Sequence, residues 1–106
     1  MNLLGHFEQA LILVLAGTDE EPTGLDIAAD LERRTGKRPS PGAVYTALDR
    51  LETRGMVRSR LGDPLPQRGG KARRHYKLTP AGQTTARKVH AALAGLAQSI
   101  SLKQKP

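Results

Sequence analysis

The chain has 106 residues, no cysteine and a formal net charge of +7. This length suits one domain with a modest core, and the lack of thiols excludes a disulfide framework and a thiolate metal site. The longest apolar run, residues 11–16, is far shorter than the roughly 18 residues of a membrane span, and the first residues do not resemble a signal peptide, so we expect a cytoplasmic protein.

The charge is divided unevenly along the chain. Residues 1–36 carry seven acidic and two basic side chains, which gives −5, whereas residues 37–106 carry fifteen basic and three acidic ones, which gives +12. A strongly basic part beside an acidic one favours a polyanionic partner for the basic part. A solvated basic surface is the alternative.

The first predicted element is a helix over about residues 4–16. Its apolar stripe includes Phe7 and Leu11 at helical spacing, but Ile12 and Leu13 fall outside that stripe. A helix with more than one apolar face is either sunk in a core or shared between a core and a partner. Because so short a chain offers little core, we expect this helix to be shared with a second subunit.

A loop and a second helix follow. Residues 17–22 contain glycine, proline and three adjacent acidic side chains, which we interpret as a solvated loop rather than a catalytic or metal cluster. Thr23 and Asp26 have the spacing of a capping box at the start of a helix. Gly36 is placed to end that helix, and Pro39 prevents its continuation.

The third predicted helix has a strong start signal and two distinct faces. Ser40 is its N-cap, and the helix runs from Pro41 to about Arg54, with Gly55 as its stop. The inward positions are Val44, Leu48 and Leu51, with Ala47 between them. The outer positions are Ala43, Thr46, Asp49, Arg50 and Thr53, with Tyr45 at the edge. Two helices around a turn of about four residues form a helix-turn-helix.

The next segment predicts a two-stranded β-wing. Residues 56–62 alternate, with Val57, Ser59 and Leu61 opposite two arginines, as expected of a half-buried strand. Residues 74–78 alternate again, with Tyr76 and Leu78 on one face. Between them, residues 62–74 contain prolines, paired glycines and a basic cluster, which indicate the tip of the wing.

A long helix completes the chain. Thr79 is its predicted cap and Pro80 its first residue, and it continues to about Ser101, before a polar tail over residues 102–106. Its apolar seam consists of Val89, Leu93, Leu96 and Ile100. A regular seam of this kind favours pairing with a helix of a second subunit, whereas packing on its own domain is the alternative. We assign the dimer interface to Phe7, Leu11, Val89, Leu93, Leu96 and Ile100.

A helix-turn-helix followed by a wing is the winged-helix plan. The predicted fold is therefore mainly α with a small β-hairpin: a winged helix-turn-helix domain over residues 1–79 and a dimerisation helix over residues 80–101. The third helix fits the major groove of double-stranded DNA, and basic groups on both flanks can neutralise phosphates. These groups are Lys37 and Arg38 in the turn, Arg50 on the helix, and Arg68, Lys71, Arg73 and Arg74 in the wing.

Two stretches, PSPGAVYTALDRLETRGMV and RGGKARRHYKLTPAG, resemble the PadR family of bacterial transcriptional regulators. The family pattern has small residues at a helix start, a tyrosine, leucines before LExxG, and a basic wing that ends in YxLTxxG. EQALILVLA and TGLDIAADLERRTG match its first two helices, so the resemblance covers about residues 3–100. It implies a dimeric winged-helix repressor that binds a palindromic promoter site through double-stranded DNA contacts.

The resemblance also assigns roles to individual residues. It implies that Tyr45 contacts a phosphate and that Tyr76 packs inside the wing. The positions implied to face the groove are Ser40, Gly42, Ala43 and Thr46, and the wing contacts are residues 71–74. Two positions depart from the family pattern: Ala47 stands where proline is frequent, and Thr23-Gly24-Leu25 stands where His-Gly-Tyr is frequent.

Other functions are less favoured by the sequence. The histidines His6, His75 and His90 lie on separate elements without metal-ligand spacing, so we expect no metal and no cofactor. No nucleophile–base pair is recognisable, so we expect no enzyme. A protein-interaction adaptor with weak DNA binding remains the alternative, whereas 3% aromatic residues argue against an RNA-binding module. The lack of tryptophan argues against an aromatic drug pocket and leaves effector binding open.

Overall fold

A computed structural model of the chain describes residues 4–63 and 73–103. Within them the protein is mainly helical, with a two-stranded antiparallel hairpin between the third and fourth helices. This is the predicted winged-helix arrangement. The elements are α1 (His6–Ala16), α2 (Gly24–Thr35), α3 (Pro41–Thr53), β1 (Val57–Leu61), β2 (Arg74–Leu78) and α4 (Pro80–Lys103).

Local hydrogen bonds define the helix-turn-helix as predicted. Thr23 Oγ1 accepts the backbone N–H of Asp26 at 3.2 Å, and the Asp26 carboxylate accepts the N–H of Thr23 at 3.0 Å, which completes a capping box. Gly36 ends α2 with φ +83°, a conformation that favours glycine. Ser40 Oγ accepts the N–H of Ala43 at 3.2 Å and so starts α3.

The core lies between the three N-terminal helices, the wing and the first half of α4. Its fully buried side chains include Leu11 and Ile12 from α1. The core therefore covers Ile12, although this residue falls outside the predicted apolar stripe of the helix. The other buried apolar residues of this core cluster are Leu4, Leu15, Ile27, Ala28, Leu31, Val44, Ala47, Leu48, Leu51, Val57, Tyr76, Leu78 and Ala86.

The wing pairs Val57 with Leu78 at its base and Leu61 with Arg74 at its outer end. Val57 is buried, but Leu61 is 60% exposed, so the prediction of a half-buried face along the whole of β1 is wrong at this end. Leu61 is not part of the core cluster that buries Val57 at the other end of the strand. Tyr76 is only 2% exposed, which agrees with its predicted packing role.

Thr79 joins α4 to the end of α3. Its Oγ1 accepts the N–H of Gly82 at 3.0 Å, which caps α4, and donates to the Gly55 carbonyl at 2.6 Å. The first half of α4 packs on α1 and β2, and Ala86 joins the core. The helix ends at Lys103, slightly later than predicted, and residues 104–106 lie outside the described residues. In the described part of the chain, no helix is long and apolar enough to cross a membrane.

Candidate nucleic-acid interface

The outer residues of α3 are exposed in the described part of the chain. Val44, Ala47, Leu48 and Leu51 are buried, so the helix is held from one side only. Four small or polar residues at its start and along its exposed positions are predicted DNA contacts, together with one arginine further along the helix. These exposed residues are Ser40, Gly42, Ala43, Thr46 and Arg50.

The start of this helix leaves room for a close approach. A Cβ atom added at Gly42 would meet no heavy atom within 4 Å, and Ala43 beside it is exposed. The Ser40 hydroxyl satisfies one N–H of the first turn. Other N–H groups of a helix start point outward beside the positive end of the helix dipole, which suits an anion such as phosphate.

The cations near α3 differ in whether they form ion pairs within the protein. Arg38, predicted to contact DNA, donates to Glu32 Oε1 at 3.1 Å. Lys37 beside it is exposed. Neither Arg50 nor Arg54 forms an ion pair within residues 4–63 and 73–103, although Asp49 and Glu52 are near them in the sequence. The last turn of α3 therefore carries positive charge that acidic neighbours do not neutralise by contact.

The structure describes two of the four predicted wing contacts, and these two differ in exposure. Arg68 and Lys71 lie outside the described residues. Arg73 is half-buried, and its carbonyl accepts the N–H of Gly62 at 2.7 Å. Arg74 is exposed and donates to Ser59 Oγ at 2.9 Å.

A chain of hydrogen bonds connects the wing to α3. Ser59 receives the Arg74 hydrogen bond and in turn donates to Glu52 Oε2 at 2.9 Å. Arg74 on β2 is thereby tied to the last turn of the predicted recognition helix. Sequence reasoning missed Ser59 and Glu52 in this role, because no local pattern predicts a contact between three separate elements.

Tyr45 lies at the edge of the exposed face and leans back on α2. The side chain is 39% exposed. A Cβ atom added at Gly24 would lie 2.7 Å from two ring carbons of Tyr45 and 2.9 Å from its hydroxyl oxygen. Burial raises the pKa of the nearby Tyr76 phenol, and the Tyr45 phenol raises it further. The ring thus sits where α2, α3 and the wing meet.

The segment between α1 and α2 holds the wing from the other side. Pro22 accepts the N–H of Tyr76 at 2.9 Å, and the Glu21 carbonyl lies 2.7 Å from His75 Nδ1. The Glu21 carboxylate also accepts from Arg60 at 2.6 Å. This hydrogen bond lowers the pKa of Glu21 despite the opposing effect of desolvation. Sequence reasoning interpreted this loop as merely solvated; the structure shows that its last residues buttress β1 and β2.

The predicted dimer interface divides into two groups. Leu11 has no exposed surface and Val89 is only 6% exposed, so the chain itself buries both of these predicted interface residues. Phe7 is half-buried and packs against the core edge. Leu93, Leu96 and Ile100 are 45%, 69% and 59% exposed, respectively, and form an apolar stripe that the described parts of the chain leave exposed.

An open groove of about 860 Å³ lies between the end of α1, the following loop and the first half of α4. Asp19 and Glu20 line one part of it, and Arg87 and His90 line another. None of its lining residues is a predicted DNA contact. In the described parts of the chain, no group of three or more His, Asp or Glu side chains is arranged to hold a metal ion.

Comparisons with known proteins identify the relatives of this arrangement. Residues 12–88 match the transcriptional regulator PadR-like family. The transcriptional regulator Rv3488 of Mycobacterium tuberculosis is 38% identical over 84 residues, which cover 77% of this chain and 72% of that protein. The match to a family of transcriptional regulators agrees with the prediction that the chain is not an enzyme.

Solved structures share the fold at low sequence identity. A PadR-like transcriptional regulator from Bacillus cereus superposes with a TM-score of 0.75 at 18% identity, over 94% of this chain and 93% of that one. Bacillus subtilis PadR, crystallised in complex with operator DNA, superposes with a TM-score of 0.67 at 19% identity, over 78% of this chain and 45% of that one. These likenesses support the winged-helix fold.

Proposed function

Because this chain belongs to the PadR-like family of transcriptional regulators, we propose that it is a homodimeric repressor that binds a palindromic DNA operator. The observation that carries the proposal is the exposed outer face of α3. It begins with small, exposed residues at Gly42 and Ala43 and ends with Arg50 and Arg54, two exposed cations that form no ion pair with another described residue. A helix with one exposed polar face fits the major groove, which is about 12 Å wide.

Each part of the face has a distinct task in this proposal. The side chains of Ala43, Thr46 and Arg50 face the base edges, while the start of α3 approaches a phosphate. Lys37 and the wing cations neutralise phosphates on the flanks. The strong positive charge of residues 37–106, +12 by formal count, supports binding to a polyanion. Bacillus subtilis PadR, a protein of this fold, provides the precedent of an operator complex.

The proposed dimer rests on the second half of α4. Leu93, Leu96 and Ile100 recur at helical spacing and stay exposed within the chain, and such a stripe is stabilised when a second helix covers it. A second copy of the same chain offers a matching stripe in a two-fold arrangement. Two recognition helices related by this symmetry would read two half-sites about 34–36 Å apart, which is the geometric basis of a palindromic operator.

The proposal is tested by selecting duplexes from a random-sequence pool with the wild-type chain. We expect a palindromic sequence to be enriched and its affinity to fall steeply as salt rises, because phosphate contacts release counterions. Arg50→Ala should weaken binding to the selected duplex and flatten the salt dependence. Arg33→Ala is the matched control, since Arg33 is 71% exposed on the last turn of α2 and pairs with Asp30.

The outcomes separate the proposal from its alternative. Failure to enrich any duplex, or weak binding that ignores sequence, would contradict an operator-binding function and favour the protein-interaction adaptor. Repression is tested with a reporter gene whose promoter carries the selected duplex. Expression should fall when the chain is present in the cytoplasm of the host, because the bound dimer covers promoter DNA. A rise in expression would identify an activator instead.

A further inference from the structure

The first residue of α2 is a buried glycine whose backbone does not require glycine. Gly24 lies in the first turn, immediately after the Thr23 cap, and it is not among the described residues with positive φ. Alanine is the better helix former and would lose less backbone entropy on folding. Conformational freedom therefore does not explain glycine at this position.

The neighbouring side chain of Tyr45 does explain it. A Cβ atom at position 24 would lie 2.7 Å from Cε1 and Cζ of Tyr45 and 2.9 Å from its hydroxyl oxygen. Carbon atoms in contact prefer about 3.5–4.0 Å. The ring fills the space that any other residue would occupy with its own side chain.

If a side chain were added at Gly24, the atoms it would meet determine whether the Tyr45 ring or the backbone would move. The ring edge and hydroxyl are the far end of a side chain, whereas α2 is held at this point by the Thr23–Asp26 capping box and by the hydrogen bond of Pro22 to the wing. A methyl group at position 24 would therefore displace the Tyr45 ring by about 1 Å, to restore normal carbon contacts, and leave the backbone in place.

We infer that Gly24 is a positioning residue for DNA binding: its missing side chain lets the Tyr45 ring rest on the start of α2 and so sets where the Tyr45 hydroxyl meets a phosphate. The inference rests on the proposed function and on the role that the family resemblance implies for Tyr45, a contact to a DNA phosphate. A hydroxyl hydrogen bond needs an oxygen–oxygen distance of about 2.5–3.0 Å. A displacement of about 1 Å is enough to lose it.

The test is a double-mutant cycle measured on the duplex that the wild-type chain selects from a random-sequence pool. Tyr45→Phe removes the hydroxyl and keeps the ring, and Gly24→Ala keeps the hydroxyl and moves it. Each variant should weaken binding about tenfold, the order expected for a hydrogen bond to a charged group. The double variant should bind no more weakly than Tyr45→Phe, because the hydroxyl that Gly24→Ala displaces is already absent.

A merely structural role for Gly24 gives a different result. The phenylalanine ring meets the added methyl group as the tyrosine ring does, so a general distortion of α2 and α3 would cost the same factor in both backgrounds. Losses that multiply in the double variant would therefore overturn the inference. Gly17→Ala is the matched control: a Cβ atom there lies 3.5 Å from its nearest neighbour, an ordinary contact, and DNA affinity should stay unchanged.

Further outcomes keep the inference separate from the proposed function. If Tyr45→Phe binds the selected duplex as well as wild type, the inference is overturned while operator binding stands. If the wild-type chain selects no duplex, the proposed function fails and the inference fails with it. If Gly24→Ala unfolds the protein, Tyr45→Ala added to it should restore folding by removing the clash, and failure to do so would also overturn the inference.

Discussion

Replacing Leu96 by alanine should weaken the proposed dimer without unfolding the protomer. The side chain is 69% exposed in the single chain, and the substitution removes three carbon groups, each contributing about 0.8 kcal/mol when fully buried. Scaling by the exposed fraction leaves about 1.5 kcal/mol for each protomer, and the change occurs twice in a symmetric dimer. The total of about 3 kcal/mol corresponds to an increase in the dimer Kd on the order of a hundredfold.

The assay is sedimentation equilibrium over a range of protein concentrations. Gln98→Ala is the matched control, since Gln98 is also exposed on α4 but lies roughly opposite the apolar stripe. Alanine favours the helix in both variants, so helicity should stay the same. Equal dissociation constants for Leu96→Ala and wild type, or a wild-type chain that is monomeric at every concentration, would refute the reasoning.

Three further predictions concern the protomer. Gly82→Ala should lower the free energy of unfolding, measured by urea titration, by about 1–3 kcal/mol or more. The new Cβ would collide with the backbone carbonyl group of Met56, whose carbon would be 2.9 Å away. Unchanged stability would show that the Met56 backbone can move to make room for the methyl group. Burial opposes but does not cancel the hydrogen bonds that lower the pKa of Asp30, so the carboxylate stabilises the fold above its unfolded pKa and loses this effect as the pH falls. Asp30→Asn should cost about 0–1 kcal/mol at neutral pH, with a difference that vanishes in acid, and a difference that persists there would contradict it. Ser59→Ala should break the link from Glu52 to the wing and speed amide hydrogen exchange in β2, and exchange equal to that of wild type would argue against the link.

The sequence alone determined the boundaries of the central elements. The signals that start and end these elements act between residues at most a few positions apart, so their spacing in the chain is sufficient to predict them. They are the Thr23–Asp26 capping box, the positive φ of Gly36 and the Ser40 cap. The inward face of α3 was predicted correctly for the same reason. The family pattern in residues 12–88 extends this local agreement to the fold.

Only the tertiary structure decided which apolar residues belong to the core. Leu11, which the pattern assigned to the dimer interface, and Ile12, which falls outside the apolar stripe, are both fully buried. α4 divides at about Leu93 into a half covered by α1 and a half left exposed. The apolar pattern is the same along both halves of α4, so the sequence periodicity could not distinguish the covered half from the exposed half. The distinction depends on how far α1 extends along α4.

The contacts around Tyr45 were likewise beyond the reach of sequence patterns. The sequence contains Gly24 as an ordinary helix-start residue, and only the packing of α2 against α3 brings it under the Tyr45 ring. The same holds for the hydrogen bonds that run from Arg74 through Ser59 to Glu52. Local chemistry within a few residues therefore determined the elements and their polar faces, while contacts between residues distant in the chain were determined by how those elements pack.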